Sequence, residues 1–140
     1  MPYWRLFYHV VWTTRSRSPQ IDCDIEILLQ RSIRSTCSEL KIAVHAIGTM
    51  PDHVHLAISI PPSLAVAKAV GRIKGSAAHL INHQQARTEP LIWESEYSVH
   101  SFGARHLTQV VGYVTNQPAR HAAQQTWSTM EPEALRIQPA

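Results

Sequence analysis

The sequence predicts an α+β domain, a ferredoxin-like sandwich whose antiparallel sheet is covered by helices on one face, in the order β-α-β-β-α-β-α. Two patterns predict it. Some segments alternate apolar and polar residues, as half-buried strands do, and between them lie segments whose apolar residues recur every three to four positions, as in amphipathic helices. Length sets the scale: 140 residues suffice for one well-buried domain and not for two. The domain is taken as 1–140, with a core of about 3–125 and a polar C-terminal tail of about 126–140.

Tyr3 to Trp12 alternates, with Trp4, Leu6, Tyr8, Val10 and Trp12 on one face and Arg5 and His9 on the other, which predicts the first strand. Thr13 to Gln20 follows as a basic loop. From Asp22 to Leu40, Ile25, Leu28, Leu29, Ile33, Cys37 and Leu40 recur at helical spacing, and Asp22 or Asp24 can cap the start. Cys23 and Cys37 fall ~21 Å apart along that helix, beyond the ~7 Å reach of a disulfide, so both read as free thiols. Lys41 to Thr49 and His53 to Ile60 are strands joined by the turn Met50-Pro51-Asp52, and Pro61-Pro62 ends the hairpin. Ser63 is the expected cap of a second helix. Its apolar stripe is Val66, Val70, Ile73, Ala77, Leu80 and Ile81, and Lys68, Arg72, His79 and His83 lie away from it. Thr88-Glu89-Pro90 breaks that helix, a fourth strand runs around Tyr97 to Ser101, and a third helix follows Gly103. That helix is expected to bury Leu107, Val110, Val111 and Val114 and to turn His106, Gln109, Tyr113 and Gln117 outward.

Apolar residues make up 44% of the chain and charged ones 16%, a balance that buries a core and excludes general disorder. No apolar run approaches the ~20 residues that span a bilayer and no targeting segment is apparent, so a cytoplasmic protein without membrane attachment is expected. The net charge of +3 leans toward an anionic partner. Only Lys41, Lys68 and Lys74 are lysines, and arginine is the side chain that grips phosphate oxygens in two-pronged fashion.

The sharpest chemical signal is His53-Val54-His55, because residues two apart on a strand project from one face and bring two imidazoles together. Asp52 suits the turn, with orientation of one imidazole as its alternative role, and His45 reads as an ordinary strand histidine, with a third-ligand role as the alternative. Tyr113 and Gln117, four apart, share a helical face. If that helix crosses the histidine face, the Gln117 amide oxygen completes a three-ligand site beside the Tyr113 phenol. A phenol is a weak nucleophile at neutral pH, and a cation that withdraws charge from a phosphate favours its attack, so the set suits phosphoryl transfer. Amide and phosphate oxygens favour Mg2+ or Mn2+, and the imidazoles would also accept Zn2+. No acidic residue falls between His53 and Thr88, where Lys68, Arg72, Lys74 and Arg87 lie, and Arg15 and Arg17 add a second basic stretch. Arg15, Arg17, Lys68, Arg72 and Lys74 are the candidate DNA contacts. Trp4, Trp12 and Trp93 read as core, with base stacking, alongside Tyr97, as the alternative.

Taken in order, these motifs resemble the HUH-type single-tyrosine transposases, which move insertion sequences as single-stranded DNA. His9-Val10-Val11-Trp12-Thr13-Thr14-Arg15 resembles the family's first strand and basic loop, and Met50-Pro51-Asp52-His53-Val54-His55-Leu56 its metal-binding block. Lys74-Gly75-Ser76, Trp93-Glu94-Ser95-Glu96-Tyr97-Ser98-Val99 and Tyr113-Val114-Thr115-Asn116-Gln117 resemble its second helix, late strand and nucleophile helix. The resemblance spans about Tyr3 to His121. It implies a DNA transposase in which His53, His55 and Gln117 bind the metal and Tyr113 attacks, leaving a 5′-phosphotyrosine and a free 3′-hydroxyl. It also implies DNA with hairpins near the element ends, and homodimers in which one subunit's tyrosine helix completes the other's site. The alternatives are a domesticated relative processing chromosomal repeat hairpins and a catalytically silent single-strand binding module. Pro118 and the acidic pair Glu94 and Glu96 depart from the family pattern.

Overall fold

A computed structural model describes residues 4–84 and 89–116. The strands are β1 (Phe7–Thr13), β2 (Ala43–Met50), β3 (His53–Ser59) and β4 (Ser98–Phe102), and the helices α1 (Cys23–Glu39), α2 (Val66–Gln84) and α3 (Leu107–Thr115), in the expected order. The sheet is antiparallel throughout, in the order β2-β3-β1-β4. This is the strand order of a ferredoxin-like sandwich.

Alternation divides the two faces of the sheet. Val10 and Trp12 of β1 and Val54, Leu56 and Ile58 of β3 pack with Ile25, Leu29 and Ile33 of α1 and Val70, Ile73, Ala77 and Ile81 of α2. The opposite face carries Ala46 and Ala57, and α3 lies on it through Val110, Tyr113 and Val114. The expected class therefore stands, with α1 and α2 on one face and α3 on the other. That split follows from β3, which buries both of its faces and so needs a cover on each.

Local differences have local causes. β1 begins at Phe7, and Trp4 and Leu6 stand before it, exposed. Asp22 caps α1, its carboxylate accepting from Ile25 N at 2.9 Å. Ser63 lies in a turn ahead of α2, which starts three residues later at Val66. The expected outward stripe of α3 is corrected at Tyr113: the helix turns Val110, Tyr113 and Val114 inward and leaves Leu107 and Val111 half-buried. Spacings of three and four put those three residues on one stripe, and the phenol ring has imidazoles to rest against. Both cysteines are free, Cys23 exposed and Cys37 buried. Arg87, Gln117, Pro118 and the tail of 126–140 lie outside the described residues.

Candidate active site

β3 presents His53 and His55 on the α3 side of the sheet, with exposures of 1% and 0% and ring centroids 5.1 Å apart. Tyr113, equally buried, stands edge-on to the His55 ring at 5.9 Å. α3 can lie this close because β2 has no side chain beneath it at Gly48, the residue opposite His55 in the β2–β3 ladder. A Cβ there would sit 2.1 Å from the Val114 carbonyl oxygen.

Both imidazoles are held by their inner nitrogens. His53 Nδ1 donates to Asp52 Oδ1 at 2.6 Å, and Asp52 Oδ2 accepts from Arg17 Nε at 2.9 Å. The favoured turn-only role of Asp52 thus gives way to its alternative, orientation of an imidazole. Burial would raise the Asp52 carboxyl, but the hydrogen bonds from His53 and Arg17 and the charges on both groups outweigh it and bring it down to about 2. Arg17 reaches Asp52 from a 3-10 turn, Arg15–Arg17, in which Ser16 and Arg17 take left-handed φ angles of 54° and 53°. Thr14 Oγ1 fastens that turn by donating to Ser18 O at 2.6 Å. Two consecutive non-glycine residues in this region cost about 1–2 kcal/mol each, which the Thr14 and Arg17 bonds help offset.

His55 Nδ1 lies 2.9 Å from Nε2 of His9, which β1 places on the same face, 3% exposed. The sequence showed His9 on the face opposite Trp12 but gave it no role; the signal was a histidine within an apolar strand, in line with the His-x-His pair across the sheet. Neutral imidazoles held at Nδ1 coordinate through Nε2, so this donor set fits a divalent cation. Among the described residues no three His, Cys, Asp or Glu side chains converge on a common metal position. A donor of another type is needed, and Gln117, one turn beyond Tyr113, lies outside the described residues. His45 stands at the other end of the hairpin, by the β2 bulge and against Phe7 at 5.5 Å, too far along the sheet to join His53. Burial lowers its pKa.

The candidate DNA contacts separate. Arg15 and Arg17 flank the site, with Arg17 engaged by Asp52. Lys68 and Arg72 are exposed on α2, across the sheet from the histidines, and Arg72 reaches Glu39 at 3.3 Å. Lys74 departs from its expected surface role: it is 8% exposed and its Nζ donates to the Glu94 carbonyl at 2.7 Å and the Glu96 carbonyl at 3.4 Å. Burial lowers its pKa, and the charge of Glu94 partly counters that. Trp12 packs in the core against Trp93, whose Nε1 donates to Lys74 O, in keeping with the core reading of both. Two further side chains given no role from the sequence share the histidine face: Arg5, whose guanidinium sits over Phe7, and His100, opposite His9 in the β1–β4 ladder.

The family model described as "Transposase IS200 like" matches residues 2–117. The ISDra2 transposase TnpA of Deinococcus radiodurans is 24% identical over 119 residues, covering 81% of this chain and 85% of that protein. A transposase for insertion sequence element IS200 from Salmonella typhimurium is 22% identical over 81 residues, covering 58% of this chain and 53% of that protein. Among solved structures, a REP-associated tyrosine transposase bound to a REP hairpin superposes with a TM-score of 0.66 at 17% identity, covering 86% of this chain and 74% of that one.

Proposed function

The chain belongs to the IS200-like transposase family, and from that premise we propose that it cleaves and rejoins single-stranded DNA at element ends, with Tyr113 as nucleophile. The Tyr113 oxygen attacks a backbone phosphorus, an O–P bond forms, the P–O3′ bond breaks, and the 3′ oxygen leaves as a hydroxyl on taking up a proton. The product is a 5′-phosphotyrosine, and attack by a 3′-hydroxyl on that link reverses the step. His53 and His55, with Gln117, would hold Mg2+ or Mn2+, which when bound supplies charge withdrawal from the phosphate. Asp52 and Arg17 hold the His53 ring while this happens. The observation that carries the reading is the phenol of Tyr113 resting edge-on against His55 at 5.9 Å, on a face where both histidines have Nδ1 engaged.

His53, His55 and Tyr113 are all closed off from solvent. A phosphate therefore enters only when α3 lifts, and α3 is nine residues held by Val110, Tyr113 and Val114. Hairpin-bearing DNA is the substrate to try first, because a structural neighbour holds a REP hairpin. The test incubates the purified chain with single-stranded oligonucleotides, with and without a hairpin, in Mg2+. A detergent-stable adduct should form, vanish in Tyr113→Phe and stop with EDTA; an adduct that persists in Tyr113→Phe removes the nucleophile. Mixing Tyr113→Phe with His53→Ala tests the shared site of a homodimer. Recovered adduct means that one subunit's tyrosine helix completes the other's site, and no recovery means that Tyr113 serves the histidines of its own chain, against which it rests here.

A further inference from the structure

Resting on the reading that His53 and His55 hold a divalent cation, we propose that His9 is the positioning residue of that site. It fixes the tautomer and ring plane of His55, so that Nε2 of His55 faces the cation.

His9 sits mid-strand on β1, in the middle of the sheet, two ladder pairs along from His55 and therefore on the same face. The two rings are 5.1 Å apart and within 20° of parallel, with His9 Nε2 at 2.9 Å from His55 Nδ1. Burying an imidazole on the α3 face, opposite Ala57 and against Tyr113, costs more than burying a leucine there, unless its nitrogens are used.

The use follows from proton accounting. A neutral imidazole coordinates through the nitrogen that lacks hydrogen. For Nε2 of His55 to be that nitrogen, Nδ1 must carry the proton, and a buried N–H needs an acceptor. His9 Nε2 is that acceptor when its own proton is on Nδ1. Asp52 does the same for His53 with a carboxylate, so the two histidines of the pair are oriented by two different acceptors supplied from different elements. The three imidazoles do not converge on one metal position among the described residues, which separates positioning from ligation. His9 also meets Tyr113 edge-on at 6.1 Å, so His9, His55 and Tyr113 pack as three mutually touching rings.

The experiment measures Mn2+ affinity of the full chain by titration calorimetry for wild type, His53→Ala, His9→Ala and His9→Gln. It also reads the His55 tautomer from side-chain nitrogen NMR without metal. A glutamine offers an acceptor oxygen where His9 Nε2 lies. His53→Ala should abolish binding, His9→Ala weaken it about 10–100-fold, and His9→Gln restore most of the loss. His55 should carry its proton on Nδ1 in wild type and in His9→Gln. Wild-type affinity in His9→Ala, or a His55 proton on Nε2 in the wild type, overturns the positioning role while leaving the cation reading intact. Loss in His9→Gln as deep as in His53→Ala would make His9 a ligand and also overturns it. Unchanged affinity in His53→Ala overturns the cation reading and this inference with it. If His9→Ala fails to fold, His9→Gln and the wild-type tautomer still decide.

Discussion

Gly48→Ala tests whether the distance between α3 and the sheet sets the rate. The added Cβ would stand 2.1 Å from the Val114 carbonyl oxygen and 3.2 Å from its carbon, both backbone atoms that no rotamer change can move. An ordinary carbon–oxygen contact needs about 3.2 Å or more, so the α3 backbone must withdraw by roughly 1 Å. Tyr113 precedes Val114 and moves with it, away from His55 at the partner position of Gly48. A displacement of about 1 Å between reacting groups costs on the order of 10²-fold in rate, and overpacking costs about 1–3 kcal/mol of stability. The assay is the initial rate of adduct formation on single-stranded DNA at saturating Mg2+, below the melting temperature of the variant. Gly71→Ala is the control: a Cβ on that α2 glycine meets nothing within 4 Å, so it should leave the rate unchanged and raise stability by about 0.5–1 kcal/mol. A folded Gly48→Ala that forms adduct at the wild-type rate refutes the reasoning, because α3 would then be free of the sheet when chemistry occurs.

Asp52→Ala removes the acceptor from His53 and should weaken Mn2+ binding about 10–100-fold, read by calorimetry; unchanged affinity would confine Asp52 to the turn. Burial pushes the Cys37 thiol up to about 11 from an ordinary 9.0, with Arg34 slightly opposing. A pKa raised in the fold means its stabilisation is whole below pH 9 and lost as pH rises through 11. Wild type should therefore lose up to about 2–3 kcal/mol relative to Cys37→Ala between pH 9 and 11, and parallel denaturation curves would refute the burial. In native chain at pH 8, iodoacetamide should modify Cys23 alone, read by mass spectrometry. Lys74→Met strips two carbonyls of their donor and should cost about 1–3 kcal/mol in urea melts, whereas Lys68→Ala should stay within about 0.5 kcal/mol; equal costs would deny Lys74 its structural place.

What the sequence made legible was whatever depends on local period. Strand parity put His53 and His55 on one face and Val54 and Leu56 on the other, and the structure has them so. Helical spacing found α1, α2 and α3. What stayed hidden depends on pairing between distant segments. The stripe of α3 was misjudged because hydropathy ranks tyrosine below valine, while the burial of Tyr113 is decided by the imidazoles beneath it. Lys74 looked like a surface cation because nothing in its own helix announces the carbonyls of Glu94 and Glu96 arriving from another segment. Gly48 carried no local signal at all, being one small residue in a strand until α3 is laid across it.

The His-x-His pair is the visible part of the site, yet both of its rings are anchored from outside β3. His55 depends on His9 of β1, and His53 on Asp52, which is in turn fastened by Arg17 in the turn just after β1. That turn is tied to the β2–β3 connection by Thr14 N donating to Asp52 O at 2.9 Å, and Ile21 N does the same to Pro51 O. β1 pairs along its full length with β3, so one central strand sets where both anchors fall. The two left-handed residues at 16 and 17 belong to the same device, since their backbone turns Arg17 toward Asp52. A His-x-His strand transplanted to another sheet would keep its parity and lose its Nδ1 partners, and with them the common aim of the two Nε2 atoms. The arrangement that the proposed chemistry needs is therefore a property of the β1–β3 pairing, with α3 bringing the phenol to a face those two strands have already arranged.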